Sequence, residues 1–319
     1  MKPIPTTEER IWAVLSHLST LAFGLGIILP ILGWSEQRRK SKYASFQCLQ
    51  ALGYQSLGYT IWLLSYLLFI VLFVVVLAIL LGFEDQNARS SGPTSLFWPG
   101  MFVLAVFGWF ALYLLFPVLA AIACAQGKEF RYPILGKRLA VYLGYSEESG
   151  LNKEHEERWV ASMGHFSVII ALWGMLAPAA TWILQGRQSA FLKFQSIQTT
   201  IYQASVNLMY LFAGVVYFFG IVVVAAVFGV GGDPGSESPA GLIAIGLFFL
   251  SLIAAALIML ALPLFHILGQ WAGYRLLKGD NYRYPIIGKQ VEKRLKRQLF
   301  SPSSAAAPGA GVAPFNRSE

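Results

Sequence analysis

Charge is what this chain has least of. Only 13% of its 319 residues are Asp, Glu, Lys or Arg, against about 25% in soluble domains. Four long runs carry no charged residue at all: Leu57–Phe83, Ser95–Gln126, Phe194–Gly232 and Pro239–Gly273. Each exceeds the roughly 20 residues that take a helix across a bilayer. A soluble fold is excluded, and an all-α, multi-pass membrane protein is predicted. Cysteine is scarcer still. Cys48 and Cys124 are the only two, which excludes a disulfide framework or a cysteine metal site, and both are expected to be small buried residues. Catalytic signatures are missing too. There is no H-E-x-x-H, no G-x-S-x-G, no phosphate loop and no pair of acids inside an apolar run, which argues against a membrane protease or kinase. The lack of an intramembrane carboxylate also weakens a proton- or ion-coupled carrier. No enzyme activity, cofactor or metal is expected. The acids before the first apolar run, with no clean small-residue cleavage site after it, predict that this segment is retained rather than removed as a signal peptide.

What is present is a repeat. Shifted by 148 residues, the chain matches itself: Glu9-Arg10 falls on Glu157-Arg158, His17 on His165, Ser19 on Ser167, Gly26 on Gly174, Pro30 on Pro178 and Trp34 on Trp182. Phe46-Gln47 then meets Phe194-Gln195, Gln50 meets Gln198, and Tyr54-Gln55 meets Tyr202-Gln203. Each copy closes on one heptapeptide, RYPILGK from Arg131 and RYPIIGK from Arg283, now 152 residues apart. Two tandem units are predicted, 1–145 and 157–300, joined by a polar linker at 146–156 and followed by a disordered tail at 301–319.

Each unit has three apolar stretches. The first spans Ile11–Trp34 or Trp159–Leu184, the second starts at Phe46 or Phe194, and the third is expected to end in Pro117 or Pro263, followed by the RYP motif. Three full crossings per unit would invert the second unit, as in many transporters. The charges oppose that. The loops after both first stretches are basic (Arg38, Arg39, Lys40, Lys42; Arg187, Lys193), as are both unit ends, whereas Glu84, Asp85 and Arg89, then Asp233 and Glu237, make the intervening hairpins acidic or neutral. Basic loops stay cytoplasmic. The pattern therefore predicts two parallel units, each with a re-entrant first segment plus two transmembrane helices. The competing reading is a kinked first helix that crosses completely. The chain is expected in a bacterial plasma membrane, with basic loops and C-terminus cytoplasmic. Its net charge of +8 serves orientation rather than nucleic-acid binding. The expected partners are the lipid bilayer and other membrane proteins.

The candidate functional residues lie on one face of the second stretch. Gln47, Gln50 and Tyr54, and their counterparts Gln195, Gln198 and Tyr202, recur at helical spacing, with Gln55, Gln203 and an extra Asn207 nearby. His17 and His165 are the only ionisable groups inside the first stretches. One reading makes these residues a polar groove with the histidines at its mouth; the other makes them interhelical hydrogen bonds. Arg131, Tyr132 and Pro133, with Arg283, Tyr284 and Pro285, are read as an interface motif that orients the chain or meets anionic lipid or a partner.

The pattern ER-x6-H-x-S, a Pro four residues before a Trp, a basic loop with Ser-x4-Phe-Gln, and RYP resembles a family of small bacterial membrane proteins without an established function. That family is related to the twenty-kilodalton Tic subunit of chloroplast protein import. The resemblance implies a helical bundle and hints at handling protein segments in the membrane. The chain departs from it in carrying two copies, and in having Tyr54-Gln55 where the family often has Asn. The function expected is non-enzymatic: a translocon-like or scaffold accessory binding membrane segments or lipid. A small-solute transporter of two pseudo-symmetric halves is the alternative. A lipid-modifying enzyme would need a nucleophile paired with the histidines, and none is visible.

Overall fold

The structure is a computed structural model that describes residues 4–83, 94–146, 150–229 and 238–299. The acids of both hairpins, Glu84, Asp85, Asp233 and Glu237, together with Arg89 and the tail 301–319, lie outside the described residues. The first half runs α1 (Thr7–Leu18), a 3-10 segment (Ser19–Ile27), α2 (Ile28–Gln37), α3 (Lys42–Phe83), α4 (Thr94–Ala125) and α5 (Leu135–Leu143). The second repeats the order: α6 (Lys153–Phe166), a short 3-10 turn (Ser167–Ile169), α7 (Leu176–Gln185), α8 (Ala190–Gly229), α9 (Pro239–Leu277) and α10 (Ile287–Leu299). The protein is an all-α membrane protein of two tandem repeats.

By length and hydropathy five segments qualify to cross a membrane: Thr7–Gln37, Lys42–Ile79, Gly100–Ala125, Ala190–Gly229 and Pro239–Leu277. The first does not run straight. The Gln37 side-chain amide donates to Glu8 Oε1 at 2.8 Å, although 29 helical residues would separate them by roughly 43 Å at 1.5 Å each. The chain therefore doubles back, and α2 lies on α1. In the second half the Ser189 hydroxyl donates to Glu157 Oε2 at 2.6 Å, 32 residues away, and α6 lies against Pro178 of α7. In both halves the first segment folds back on itself as a hairpin and is not one continuous kinked helix.

The local chemistry explains the break. Phe23 (φ 51°) and Leu172 (φ 39°) take left-handed backbone at the two turns. Gly26 and Gly174 sit so close to the carbonyls of Ser19 and Ser167 that a β-carbon has no room. Pro30 and Pro178 fall in the first turns of α2 and α7, where a missing N–H is no loss. The backbone freed at the break still needs partners when it is shut away from water. Gln55 supplies them in the first half, donating to Ser16 O at 3.3 Å and Ser19 Oγ at 2.9 Å. Gln203 does so in the second, donating to Gly164 O at 2.7 Å.

Both halves point the same way. Tyr43, at the start of α3, donates to Lys128 O beyond α4 at 3.2 Å, and Arg10 reaches Ala125 O at 3.3 Å. Arg158 reaches Asp280 O at 3.4 Å in the second half. Lys42 reaches Ser146 O at 3.3 Å and Arg38 reaches Gln185 at 2.8 Å, which ties the two ends together. All the basic loops thus gather at one end of the molecule, and the repeat is parallel rather than inverted.

The halves interlock through two tryptophans and one arginine. Trp159 of α6 fills the space beside Gly53 of α3, and its Nε1 donates to Leu49 O at 3.0 Å. Trp34 donates to Glu156 Oε2 at 3.1 Å. Arg38 lies 4.4 Å over the Trp34 ring, pairs with Glu157 at 3.1 Å and approaches Glu156 at 3.9 Å. The core of Ile31, Phe46, Leu49, Met163 and Leu192 runs continuously across both halves.

Candidate functional site

The residues singled out in the sequence come together, but inside the fold. His17 Nε2 lies 3.0 Å from Gln47 Oε1, and its Nδ1 lies 3.0 Å from the Tyr132 hydroxyl. Gln47 and Gln50 both donate to Phe130 O, at 3.1 and 2.9 Å, while Gln50 Oε1 accepts from Tyr132 N at 2.8 Å. Tyr54 stacks on Tyr132 with centroids 4.2 Å apart and donates to Tyr113 O at 2.7 Å. The second half repeats each link. His165 meets Tyr284 at 2.9 Å and Gln195 at 3.3 Å. Gln195 and Gln198 donate to Tyr282 O at 3.2 and 2.9 Å. Tyr202 stacks on Tyr284 at 4.0 Å and donates to Phe265 O at 2.6 Å. Phe265 falls 152 residues after Tyr113, so the heptapeptide's offset holds through α4 and α9. That aligns Pro117 with Gly269 rather than with Pro263.

These bonds set the chemistry. Gln47 spends its amide N–H on Phe130 O and presents its carbonyl oxygen to the ring, so His17 Nε2 carries the proton and Nδ1 accepts from Tyr132. Both nitrogens are engaged, and the same holds at His165, where Thr199 Oγ1 also lies 2.9 Å from Nε2. Among the described residues, no three His, Cys, Asp or Glu side chains form a group able to hold a metal ion. The free cysteines are both buried, with Cys48 accepting from Ser16 at 3.2 Å.

The heptapeptide serves this cluster position by position. Arg131 lies over the Phe46 ring at 5.9 Å, and Arg283 over Phe194 at 6.0 Å. Tyr132 and Tyr284 are buried on the histidines. Gly136 lies so close to Gln50 that a β-carbon would fall 2.5 Å from its Oε1, with Gly288 similarly placed on Gln198 at 3.0 Å. The residue that does face outward is the isoleucine after the proline: Ile134 is 73% exposed and Ile286 72%. The repeat itself carried that signal, because Ile is kept at both positions.

Asn207 has a role of its own. Its side-chain oxygen accepts from Leu172 N at 3.2 Å and its amide donates to Leu172 O at 3.3 Å, clamping the left-handed residue of the second turn. Replacing Asn207 with alanine is expected to cost about 1–3 kcal/mol, seen as an earlier melting transition in detergent. An unchanged transition would mean that Leu172 is held by its other neighbours.

The open concavity lies elsewhere. An apolar cavity of about 860 Å³ sits between α3 and α4 of the first half, bordered by α5, Trp159 and the end of α9. The sequence-chosen residues Tyr54, Tyr132 and Pro133 reach its wall.

The sequence model of a family described as the magnetosome magnetite crystal formation protein family matches residues 8–139 and again 156–291. The chain belongs to that family. No curated protein matches the chain, and no solved structure does. The two matches fit the two helical halves. Each magnetosome-family unit comprises the doubled-back hairpin, the two long helices and the start of the helix that follows RYP. Every member of both His–Tyr–Gln clusters lies within them. The expectation of a bacterial membrane family present in two copies is met by the magnetosome family.

Proposed function

We propose that this chain is a non-enzymatic scaffold of the membrane that surrounds growing magnetite, holding two hairpin tips toward the crystal. The observation that carries this reading is the gathering of all the basic loops at one end. If that end is cytoplasmic, as basic loops prefer, both α3–α4 and α8–α9 connections emerge on the opposite face. Glu84, Asp85, Asp233 and Glu237 fall in those connections, and carboxylates are suitable ligands for hard metal ions. The family's printed role in magnetite formation supports the same assignment. The polar stripes then hold the two hairpins in register; they do not form a groove for a client. The transporter alternative has less support, since both imidazoles and the glutamine amides are used within the fold.

Single cysteines at Asn87 and Gly235, in a chain lacking Cys48 and Cys124, test the orientation. In isolated magnetite-bearing vesicles both are expected to resist an impermeant thiol reagent until the membrane is opened, whereas a cysteine at Lys289 reacts at once. One protected and one reactive tip would sink the proposal. Cells without the chain are expected to form crystals of altered size by electron microscopy. Restoring a chain with the four tip acids replaced by amides should not correct them.

A further inference from the structure

We propose that the first half holds one anionic phospholipid in the cavity of about 860 Å³, with acyl chain against α3 and α4 and phosphate on Arg138 and Lys278. The site is separate from the scaffold reading and does not depend on it. Its volume falls in the range of roughly 300–1,000 Å³ typical of ligand sites.

Charge names the occupant. The wall is hydrophobic and aromatic apart from two cations, Arg138 from α5 and Lys278 at the end of α9, and contains no acid. Both side chains are exposed. Lys278 rests on the Tyr274 ring at 5.7 Å, and neither cation is paired with an acid among the described residues. A cation pair above an apolar slot matches a phosphate above a hydrocarbon chain. Direction agrees. The cations stand at the end where the basic loops gather, at the level of an anionic leaflet surface. From Gly53 to Trp62 the wall follows α3 away from that end for roughly 13 Å, at 1.5 Å per residue, into the uncharged run. Ile61 and Leu112 on this wall are exposed, leaving a lateral way in from the bilayer.

The second half shows that the cavity is not a by-product of the repeat. Where the first half has Gly53 and Gly58, the second has Ile201 and Val206, and Val206 is buried in a core with Tyr202 and Leu262. The positions matching Arg138 and Lys278 at the offset of 152 are Gln290 and Gln126. The long helices differ as well. α8 and α9 meet closely, leaving no room for a β-carbon at Gly220 against Ser251. α3 and α4 are instead held apart by aromatic pairs, Phe73 with Phe102 at 4.4 Å and Trp62 with Phe110 at 5.8 Å. The two halves are built differently around this position, and both cations belong to the cavity of the first.

The test uses the full chain in nanodiscs of equal phosphatidylglycerol and phosphatidylcholine, extracted in mild detergent, with retained lipid counted by native mass spectrometry. One phosphatidylglycerol per chain is expected, in preference to phosphatidylcholine. Arg138→Glu with Lys278→Glu should lower its apparent affinity about thirtyfold, the sum of two basic contacts. Leu112→Trp, which fills the slot, should remove lipid of both kinds. Ile61→Trp gives the same readout should the first filling variant fail to fold. Arg187→Glu with Lys193→Glu, on the basic loop of the second half, should change nothing. Equal retention of the two lipids, undiminished phosphatidylglycerol after charge reversal, or an equal loss in the second-half control would each overturn the site.

Discussion

Replacing Arg38 with methionine is expected to destabilise the protein by about 3–5 kcal/mol, the usual cost of stranding a buried charge. The side chain of Arg38 is 6% exposed, and those of its partners Glu156 and Glu157 are 6% and 11% exposed. Among the described residues it is the cation that bridges the two hairpins in this network, and methionine keeps its bulk over Trp34 while removing the charge. The loss should depend on pH. Burial already pushes the Glu156 carboxyl above the ordinary carboxylate range, opposed by its bond from Trp34 and by Arg38. An acid whose pKa is raised by folding binds its proton more tightly in the folded state, so the associated stability falls as pH rises through the raised value. Without Arg38 that value moves higher still. The variant should therefore be closest to the parent protein in mild acid and furthest from it above neutrality. Melting profiles in detergent across pH 5 to 8 measure this. A midpoint equal to that of the parent at every pH would show that the carboxylates find water or another donor.

The second large effect is expected at the histidines. His17→Leu removes a donor to Gln47 and an acceptor from Tyr132 in a site closed to water. The Tyr132 hydroxyl is stranded, while Gln47 Oε1 keeps the amide of Gln50 at 3.3 Å, so the loss is about 1–3 kcal/mol from that group beyond the lost bond to Gln47. Tyr132→Phe in the same chain deletes the stranded group, so the double variant should be less destabilised than the sum of the singles, by a coupling of about 0.5–3 kcal/mol. His165→Leu with Tyr284→Phe should behave alike. Additive losses would mean that the hydrogen bonds contribute little and the rings serve as filler.

Much of this architecture was legible in the sequence. Long uncharged runs gave the spans, because the bilayer imposes a length. The basic loops at Arg38–Lys42 and Arg187–Lys193 pointed to the doubled-back first segment, because charge must stay on one side. The glutamine stripe was visible as a helical face. What it faces was not. The acceptor for Gln47 is a main-chain carbonyl at Phe130, 83 residues on, and main-chain partners leave no trace in side-chain spacing. Tyr132 misleads for a related reason: a ring with one hydroxyl suits a membrane interface and a buried hydrogen bond equally. Arg38 was hidden among Arg39, Lys40 and Lys42, which composition treats alike, although Arg38 is the one that enters the buried site of Glu156 and Glu157. Pro117 and Pro263 looked equivalent because each interrupts an apolar run, whereas the bonds from Tyr54 and Tyr202 align different positions.

The joint between the halves has a consequence for how such a protein can change over time. In a dimer of identical chains, each contact across a two-fold axis occurs twice, so any residue that helps on one side must also be tolerated on the other. Here Arg38 meets Glu157, while the position that would return the contact is Gly186, which has no side chain to reach Glu9. Covalent fusion has released the two domains from that mirrored constraint. Each can drift separately at fixed one-to-one stoichiometry, one toward tightly joined long helices and the other toward an open slot.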